Sequence, residues 1–430
     1  MILSDTVETR AAQALPRSLY AAEDGPRARA PLSGPAEAEV AIVGAGILGL
    51  STALALAEAG TSVTVLEANE PGWGASGRNG GHANPGLKTH PDEVVRDFGT
   101  ETLHWAYDAP RTLAALIDRL GIDAEFRQGG TYRAAVSEAG LRDVEALTAA
   151  LLRHDIPVRF DDAAAMEAAT GCTRYPGGLF DPAGAQVNPL KYTRGLAGAA
   201  QAAGAVIHCD SPVTAYGREG AGWKVTTPGG SVTAGRLLIA TNGYSGPLVP
   251  KLAQSLIPVF SAIAASHPLP EALRGRILGG GGVLYETGTV TIYYRVDAAG
   301  RLIFGGRGQM EEADGLPSVT VLQRLAERIW PGLAAVGWAY GWNGRVAITA
   351  DHYPHLHALE DSGLVAVGFN GRGVALTTAL GPRLAAHLRG EPGALPFPVT
   401  AIRPIPFQKF WPVGVNAVLA ADSLIRRVRR

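Results

Sequence analysis

Cysteine is nearly missing from this chain: Cys172 and Cys209 are the two thiols among 430 residues. So few thiols support no disulfide framework and fit a reducing compartment. No HExxH or paired CxxC occurs, so no metal site is expected. An excess of charge is missing too, with 38 Lys and Arg against 39 Asp and Glu. That balance leaves no overall field to recruit nucleic acid or an anionic membrane. The opening Met1-Ile2-Leu3-Ser4-Asp5 lacks the basic and apolar regions of a secretory signal. The longest apolar run, Val40–Ala57, has three glycines near its start, which argues for strand, turn and helix rather than a membrane span. A cytoplasmic protein without membrane contact is expected, and its oligomeric state is left open.

What is abundant is glycine, with 55 residues, and its placement is informative. Val40–Val43 reads as a buried strand, Gly44–Gly49 as a turn, Leu50–Glu58 as a helix ending at Gly60, and Ser62–Glu67 as a second strand. This is a βαβ unit of the size that opens a dinucleotide-binding fold. Residues 92–170 carry helical periodicity, and short β-branched runs dominate after Gly171. Leu364–Val367 reads as a late buried strand and Ala375–Leu388 as its helix. The expected fold is α/β: a Rossmann-type dinucleotide-binding domain with a second, α+β substrate domain carrying a mostly antiparallel sheet. Residues 1–37 read as a surface arm. Segments 38–90, 155–250 and 335–392 are assigned to the cofactor domain, 91–154 and 251–334 to the substrate domain, and 393–430 to a tail. Val413–Arg430, apolar and ending in arginines, reads as a docked terminal helix rather than a membrane anchor.

Gly44-Ala45-Gly46-Ile47-Leu48-Gly49 is a GxGxxG between a strand and a helix. Gly44 permits the turn, Gly46 lets backbone approach a pyrophosphate, and Gly49 lets helix pack on strand. The phosphates would sit at the helix N-terminus. Glu67 ends the second strand, where a carboxylate accepts ribose hydroxyls and repels a 2′-phosphate. Ala68 beside it and Val213 further on are counted among the cofactor contacts. The small-residue loop Gly74-Ala75-Ser76-Gly77-Arg78-Asn79-Gly80-Gly81-His82 favours FAD over NAD, because an isoalloxazine needs close backbone there. Arg78 is expected at the pyrophosphate and Ser76 at phosphate or flavin edge. Ala240-Thr241-Asn242-Gly243 ends a buried strand in small residues. Asn370-Gly371-Arg372-Gly373-Val374-Ala375 opens a helix whose amides can face the flavin N1–C2=O2 edge and favour its reduced form.

These elements, in this order, resemble the D-amino acid oxidase superfamily, and more closely the gamma-glutamylputrescine oxidoreductases and their relatives. The similarity rests on Ser18-Leu19-Tyr20-Ala21-Ala22, on Gly74–Gly81, and on Tyr293-Tyr294-Arg295 followed by Gly300-Arg301-Leu302-Ile303-Phe304-Gly305-Gly306. It also includes Trp342, Gly344, Thr349 and Pro354, the first two counted with the cofactor site. The resemblance covers nearly the whole chain. It implies a substrate sheet over the flavin face and oxidation of an amine to an imine that water hydrolyses.

Three departures from the family pattern bear on mechanism. Glycine oxidase-like members hold the substrate α-carboxylate with an arginine in RPxTxDxxP. Matching on Thr349, Asp351 and Pro354 places Val346 there and Arg345 one residue early, so Arg345 is expected to point to the other side of the strand. Sarcosine oxidases attach flavin through a cysteine in this block; none follows Cys209, so FAD is expected to be non-covalent. Their oxygen-activating lysine corresponds to Ile303. The expected reaction is hydride transfer from a neutral small amine to flavin, in which positioning matters more than a strong base. His82, Tyr293, Tyr294 and Arg372 are the catalytic candidates, with only one of the two tyrosines able to face the flavin. Oxygen is the first choice of acceptor. A dehydrogenase feeding a quinone or protein carrier, and a degenerate FAD-binding subunit, are the alternatives.

Overall fold

The computed structural model describes residues 13–25, 29–288, 291–309, 311–360, 362–411 and 414. Val413 and residues 415–430, read above as part of a terminal helix, lie outside them.

The strand Gly34–Val43 lies at the centre of the first sheet, and its last four residues, Val40-Ala41-Ile42-Val43, are fully buried. It runs parallel to Val63–Leu66 on one side and to Gly230–Ile239 on the other. Val206–His208 and Gly363–Val367 extend the parallel array at either edge. Continuous β-branched and alanine runs suit strands covered on both faces. Ile42 and Val65 project toward the helices Ile47–Glu58, Pro189–Ala202 and Gly373–Leu388, while Ala41 and Val43 meet Trp223, Leu252 and Val367. The helix after the glycine turn begins at Ile47 rather than Leu50.

The second sheet has eight strands in the order Trp338–Ile348, Ile257–Pro268, Arg301–Arg307, Tyr293–Val296, Val283–Glu286, Thr131–Ala134, Gly177–Asp181 and Arg159–Asp162. Every neighbouring pair is antiparallel except Val283–Glu286 with Thr131–Ala134. One face packs Leu284, Tyr294, Leu302 and Phe304 against Leu322 and Trp330. The other face turns Ile263, Ile303, Trp342 and Tyr293 toward Leu19, Tyr20 and Leu190.

Three sequence-level assignments change. Trp338–Ile348, counted with the cofactor segments, pairs along Ile257–Pro268 in the second sheet. Residues 92–170 are not continuously helical; the strands Thr131–Ala134 and Arg159–Asp162 separate Pro91–Leu120, Glu138–Arg153 and Ala163–Thr170. The segment read as a surface arm contains a helix, Leu19–Glu23, whose N-cap Ser18 accepts from the Ala21 N–H and whose Leu19 and Tyr20 are buried. Tyr20 sits edge-on against Trp342, so apolar packing overrides the Ala/Arg/Pro-rich composition.

Candidate active site

The first glycine turn is forced by close backbone. Gly44 has φ 105°, and a Cβ there would lie 3.0 Å from the Ala240 carbonyl oxygen. At Gly49 a Cβ would fall 2.0 Å from the Gly44 carbonyl oxygen, and at Gly46 2.8 Å from Ser76 Oγ. The Ile47 N–H donates to Ser76 Oγ at 3.0 Å. No side chain caps this helix at Gly46. Leu48 and Gly49 carry the remaining first-turn N–H groups, a helix start suited to an anion. Glu67 Oε2 accepts from the Ala45 N–H at 2.7 Å and Oε1 from the Asn69 N–H at 3.0 Å. Burial pushes its carboxyl above the ordinary value, opposed by backbone N–H bonds from Ala45, Asn69 and Ala68. The Ser211 N–H donates to the Glu67 carbonyl, which carries the segment leading to Val213 alongside.

The second loop folds as a short helix, Ala75–Arg78, behind Gly74. Asn79 donates to the Ala75 and Ser76 carbonyls and accepts from the Gly81 N–H at 2.8 Å, which fixes the turn. Arg78, expected at the pyrophosphate, is anchored by Trp73. Its Nε donates to the Trp73 carbonyl at 2.6 Å and its guanidinium lies 4.2 Å from a Trp73 ring centroid. Trp342 Nε1 donates to the Arg78 carbonyl at 2.9 Å, and a Cβ on Gly344 would meet Arg78 Cβ at 3.1 Å. Both therefore support the loop through Arg78.

The two later glycine segments are tied together. The Ala240 N–H donates to the Val43 carbonyl, and Asn242 Oδ1 accepts from the Gly368 N–H at 2.9 Å. Thr241 Oγ1 bonds Ser245 Oγ, and Gly243 passes beneath Arg345. Asn370 and Gly371 take φ of 52° and 80°, and Asn370 Oδ1 accepts from the Thr349 N–H. The helix Gly373–Leu388 then starts with no side-chain cap, leaving the first-turn amides, among them Gly373, Val374 and Ala375, without intrahelical acceptors.

His82 and Tyr293 are brought together, with ring centroids 5.3 Å apart and edge-to-face. A Cβ would strike Tyr293 at 2.6 Å from Gly80 and 2.1 Å from Gly305, so both glycines make room for its ring. Tyr293 Oη pairs with Ser261 Oγ at 2.8 Å, and burial raises its pKa. Arg295, two residues on, donates to the Gly80 carbonyl, Gln186 Oε1 and Tyr20 Oη. Burial and then Arg295 press the His82 imidazole down to about 3, so it stays neutral. Its Nε2 is buried with no hydrogen-bond partner among the described residues. Tyr294 is corrected: it faces the core between Phe304 and Trp330, away from His82. Arg372 donates to the Pro85 carbonyl and, at 2.6 Å, to Tyr285 Oη. Val346 faces Gly371 at 3.9 Å from where its Cβ would be, whereas Arg345 pairs with Glu312 at 3.3 Å and lies against Tyr244 and Phe260. Sequence reasoning missed Tyr285, Arg133, Tyr107 and Lys88, which tertiary pairing alone gathers beside Arg372.

Two uncapped helix starts, a ribose-type acid, a Cβ-free cradle and an orphaned imidazole nitrogen fit an FAD, and together they define a dinucleotide-binding flavoprotein. The chain belongs to the family described as FAD dependent oxidoreductase (DAO), whose profile matches residues 39–387. It is thus an oxidoreductase that uses FAD, with an α/β fold similar to that of glycine oxidase. It is 33% identical over 372 residues to a probable oxidoreductase OrdL of Rhizobium meliloti (strain 1021), covering 84% of this chain and 85% of that protein. It is 30% identical over 361 residues to gamma-glutamylputrescine oxidoreductase of Escherichia coli (strain K12), covering 82% and 84%. The crystal structure of glycine oxidase from Geobacillus kaustophilus superposes with a TM-score of 0.74 at 21% identity, covering 85% of this chain and 99% of that one. Among the described residues no helix is long and apolar enough to cross a membrane.

Proposed function

We propose that this enzyme oxidises the C–N bond of a small amine, such as a polyamine derivative, to an imine that water hydrolyses to an aldehyde. FAD, held non-covalently, would accept the hydride from the carbon beside nitrogen, and oxygen would then take two electrons and two protons to give hydrogen peroxide. The gamma-glutamylputrescine oxidoreductase relative supports amine chemistry at this site.

The observation that carries the reading is the 345–346 pair. An arginine at 346 would face the Gly371 turn and could hold an α-carboxylate; valine cannot, and Arg345 is engaged with Glu312 on the other side. An amine without an adjacent carboxylate loses nothing by this. The role of His82 follows from its neutrality. It orients a neutral amine by a hydrogen bond rather than taking its proton, because an imidazole that protonates only near pH 3 is a weak base. Tyr293, wedged between Gly80 and Gly305, shapes the adjoining wall, and Arg372 holds the turn at the start of the late helix. Within this reading, segments 38–90, 155–250 and most of 350–392 serve the cofactor, while the second sheet faces the substrate.

A second reading, a dehydrogenase feeding a quinone or protein carrier, draws on Ile303, which is fully buried where an oxygen-activating lysine would be needed. Anaerobic mixing with polyamines, glutamylated amines, N-methyl amino acids and glycine tests the first step through loss of flavin colour. Bleaching by amines and not by glycine is expected; bleaching by glycine alone would overturn the proposal. Rapid return of colour in air would identify an oxidase, and slow return the dehydrogenase.

A further inference from the structure

Tyr20 sits in a helix too short to be stable by itself, Leu19–Glu23, yet its side chain is fully buried. Contacts on every side hold this segment. The Arg17 N–H ahead of the helix donates to Asp314 Oδ2 at 3.2 Å, and Glu23 pairs with Arg301 on the second sheet. The Gly25 carbonyl accepts from buried Arg194 at 2.7 Å, and Arg194 also pairs with Glu70. Trp73 Nε1 donates to the Ala14 carbonyl at 3.0 Å. Residues 14–25 are thereby tied both to the second sheet and to the segment that enters the small-residue loop Gly74–His82.

Two contacts of the Tyr20 side chain lead to that loop, one on each side of Asn79. Its ring stands edge-on to Trp342, with centroids 5.2 Å apart, and Trp342 Nε1 donates to the Arg78 carbonyl at 2.9 Å. Its Oη accepts from the Arg295 guanidinium at 3.2 Å, and Arg295 Nε donates to the Gly80 carbonyl at 2.6 Å. Arg295 also donates at 2.8 Å to Gln186 Oε1, and Gln186 is the strand partner of His82. A Cβ on Gly81 would lie 2.8 Å from the same guanidinium, so the loop follows its surface closely.

Arg295 is fully buried and makes no ion pair among the described residues; its acceptors are a carbonyl, an amide oxygen and the Tyr20 hydroxyl. Asp297 and Glu125, the acids that act on Tyr20, are engaged with Arg301 and Lys191. Burial raises the Tyr20 pKa against the pull of Arg295, so the hydroxyl stays neutral. A guanidinium buried without a carboxylate needs each of these acceptors, because an unmet charged donor in a dry interior is costly. Without the hydroxyl the guanidinium must turn toward another acceptor, and the Gly80 carbonyl would move with it.

We propose that Tyr20 is a positioning residue of the cofactor site: through Arg295 and Trp342 it fixes the two carbonyls that flank Asn79, and so sets the shape of the loop assigned to the isoalloxazine. This goes beyond the amine reading and does not depend on it.

The test compares variants by FAD affinity, from fluorescence titration of the apoprotein, and by the visible circular dichroism of the flavin in the holoenzyme. A hydrogen bond to a charged group is worth roughly a factor of ten in an equilibrium constant. Tyr20→Phe, which keeps the ring on Trp342, should therefore raise the FAD Kd about 10-fold and alter the flavin dichroism. Tyr20→Leu also loses the edge-to-face contact and should raise it by about a further 2- to 10-fold. Tyr175→Phe is the control, because it too removes a buried hydroxyl bonded to a charged partner, Glu286 at 3.1 Å, but in the second core. It should lower the urea midpoint and leave both flavin readouts unchanged. In an Arg295→Met background, Tyr20→Phe should add little, since its route to Gly80 is gone; if that background does not fold, the Tyr175 comparison decides. Unchanged FAD affinity and dichroism in Tyr20→Phe, an equal shift in Tyr175→Phe, or a full Tyr20→Phe effect without Arg295 would overturn the assignment.

Discussion

Gly49→Ala isolates the physical demand of the glycine turn. Its methyl would sit 2.0 Å from the Gly44 carbonyl oxygen and 3.3 Å from Ile42 Cγ2, whereas ordinary contact begins at 3.4 Å. The helix Ile47–Glu58 must therefore retreat by about 3.4 − 2.0 = 1.4 Å, or the turn must deform. Overpacking costs about 1–3 kcal/mol, and contact with backbone rather than a mobile side chain puts this case at the upper end. Alanine returns about 1 kcal/mol of helix propensity, so a net loss near 2 kcal/mol is expected. Retreat also draws the first-turn amides from the phosphates. Loss of one charge-assisted bond, about 1.5–3 kcal/mol, would raise the FAD Kd roughly 10- to 100-fold. Urea unfolding of the apoprotein measures the first quantity and flavin fluorescence titration the second. Gly198→Ala is the control, because Gly198 lies in the helix Pro189–Ala202 with open space where its Cβ would be; a gain of about 0.5–1 kcal/mol is expected there. A Gly49→Ala protein with unchanged stability and FAD affinity would refute the reasoning.

The two adjacent tyrosines should behave oppositely in anaerobic stopped-flow reduction. Tyr293→Phe breaks the bond to Ser261 beside His82 and should slow reduction, whereas Tyr294→Phe, altered inside the second core, should leave it unchanged; the reverse pattern would contradict the facing assigned here. His82 gives a pH signature. Its folded pKa, about 3, lies below the unfolded 6.5, so the native state binds fewer protons and the contribution is full above about pH 6.5. Stability should fall as pH drops from 6.5 toward 3, by up to about 1.4 kcal/mol per unit from this group. Urea midpoints of His82→Gln should show a shallower acid slope than wild type, and an equal slope would count against burial of the neutral ring.

The cofactor half was legible because its signals are local. Strand, glycine turn, helix and acid follow one another between Val40 and Glu67, and each has a steric or electrostatic reason visible in one segment. The substrate half was not. Arg133 and Tyr285 are far apart in sequence and meet through the one parallel pairing in an otherwise antiparallel sheet, which no periodicity announces. Arg78 shows a different limit: residue type and loop position point to phosphate, while its stacking on the indole of Trp73, five residues earlier, has no sequence signal. The Leu19–Glu23 helix was hidden by the composition around it, although Ser18 ahead of Leu19 and Tyr20 was a capping signal. Trp338–Ile348 lies between cofactor segments in sequence but is claimed by the edge of Ile257–Pro268.

The most direct test of a dinucleotide held by these glycine segments is the visible spectrum of the purified protein before and after acid precipitation. The account expects flavin absorbance in the native sample and FAD released whole into the supernatant, with a colourless pellet. A colourless native protein that takes up no added FAD would contradict it.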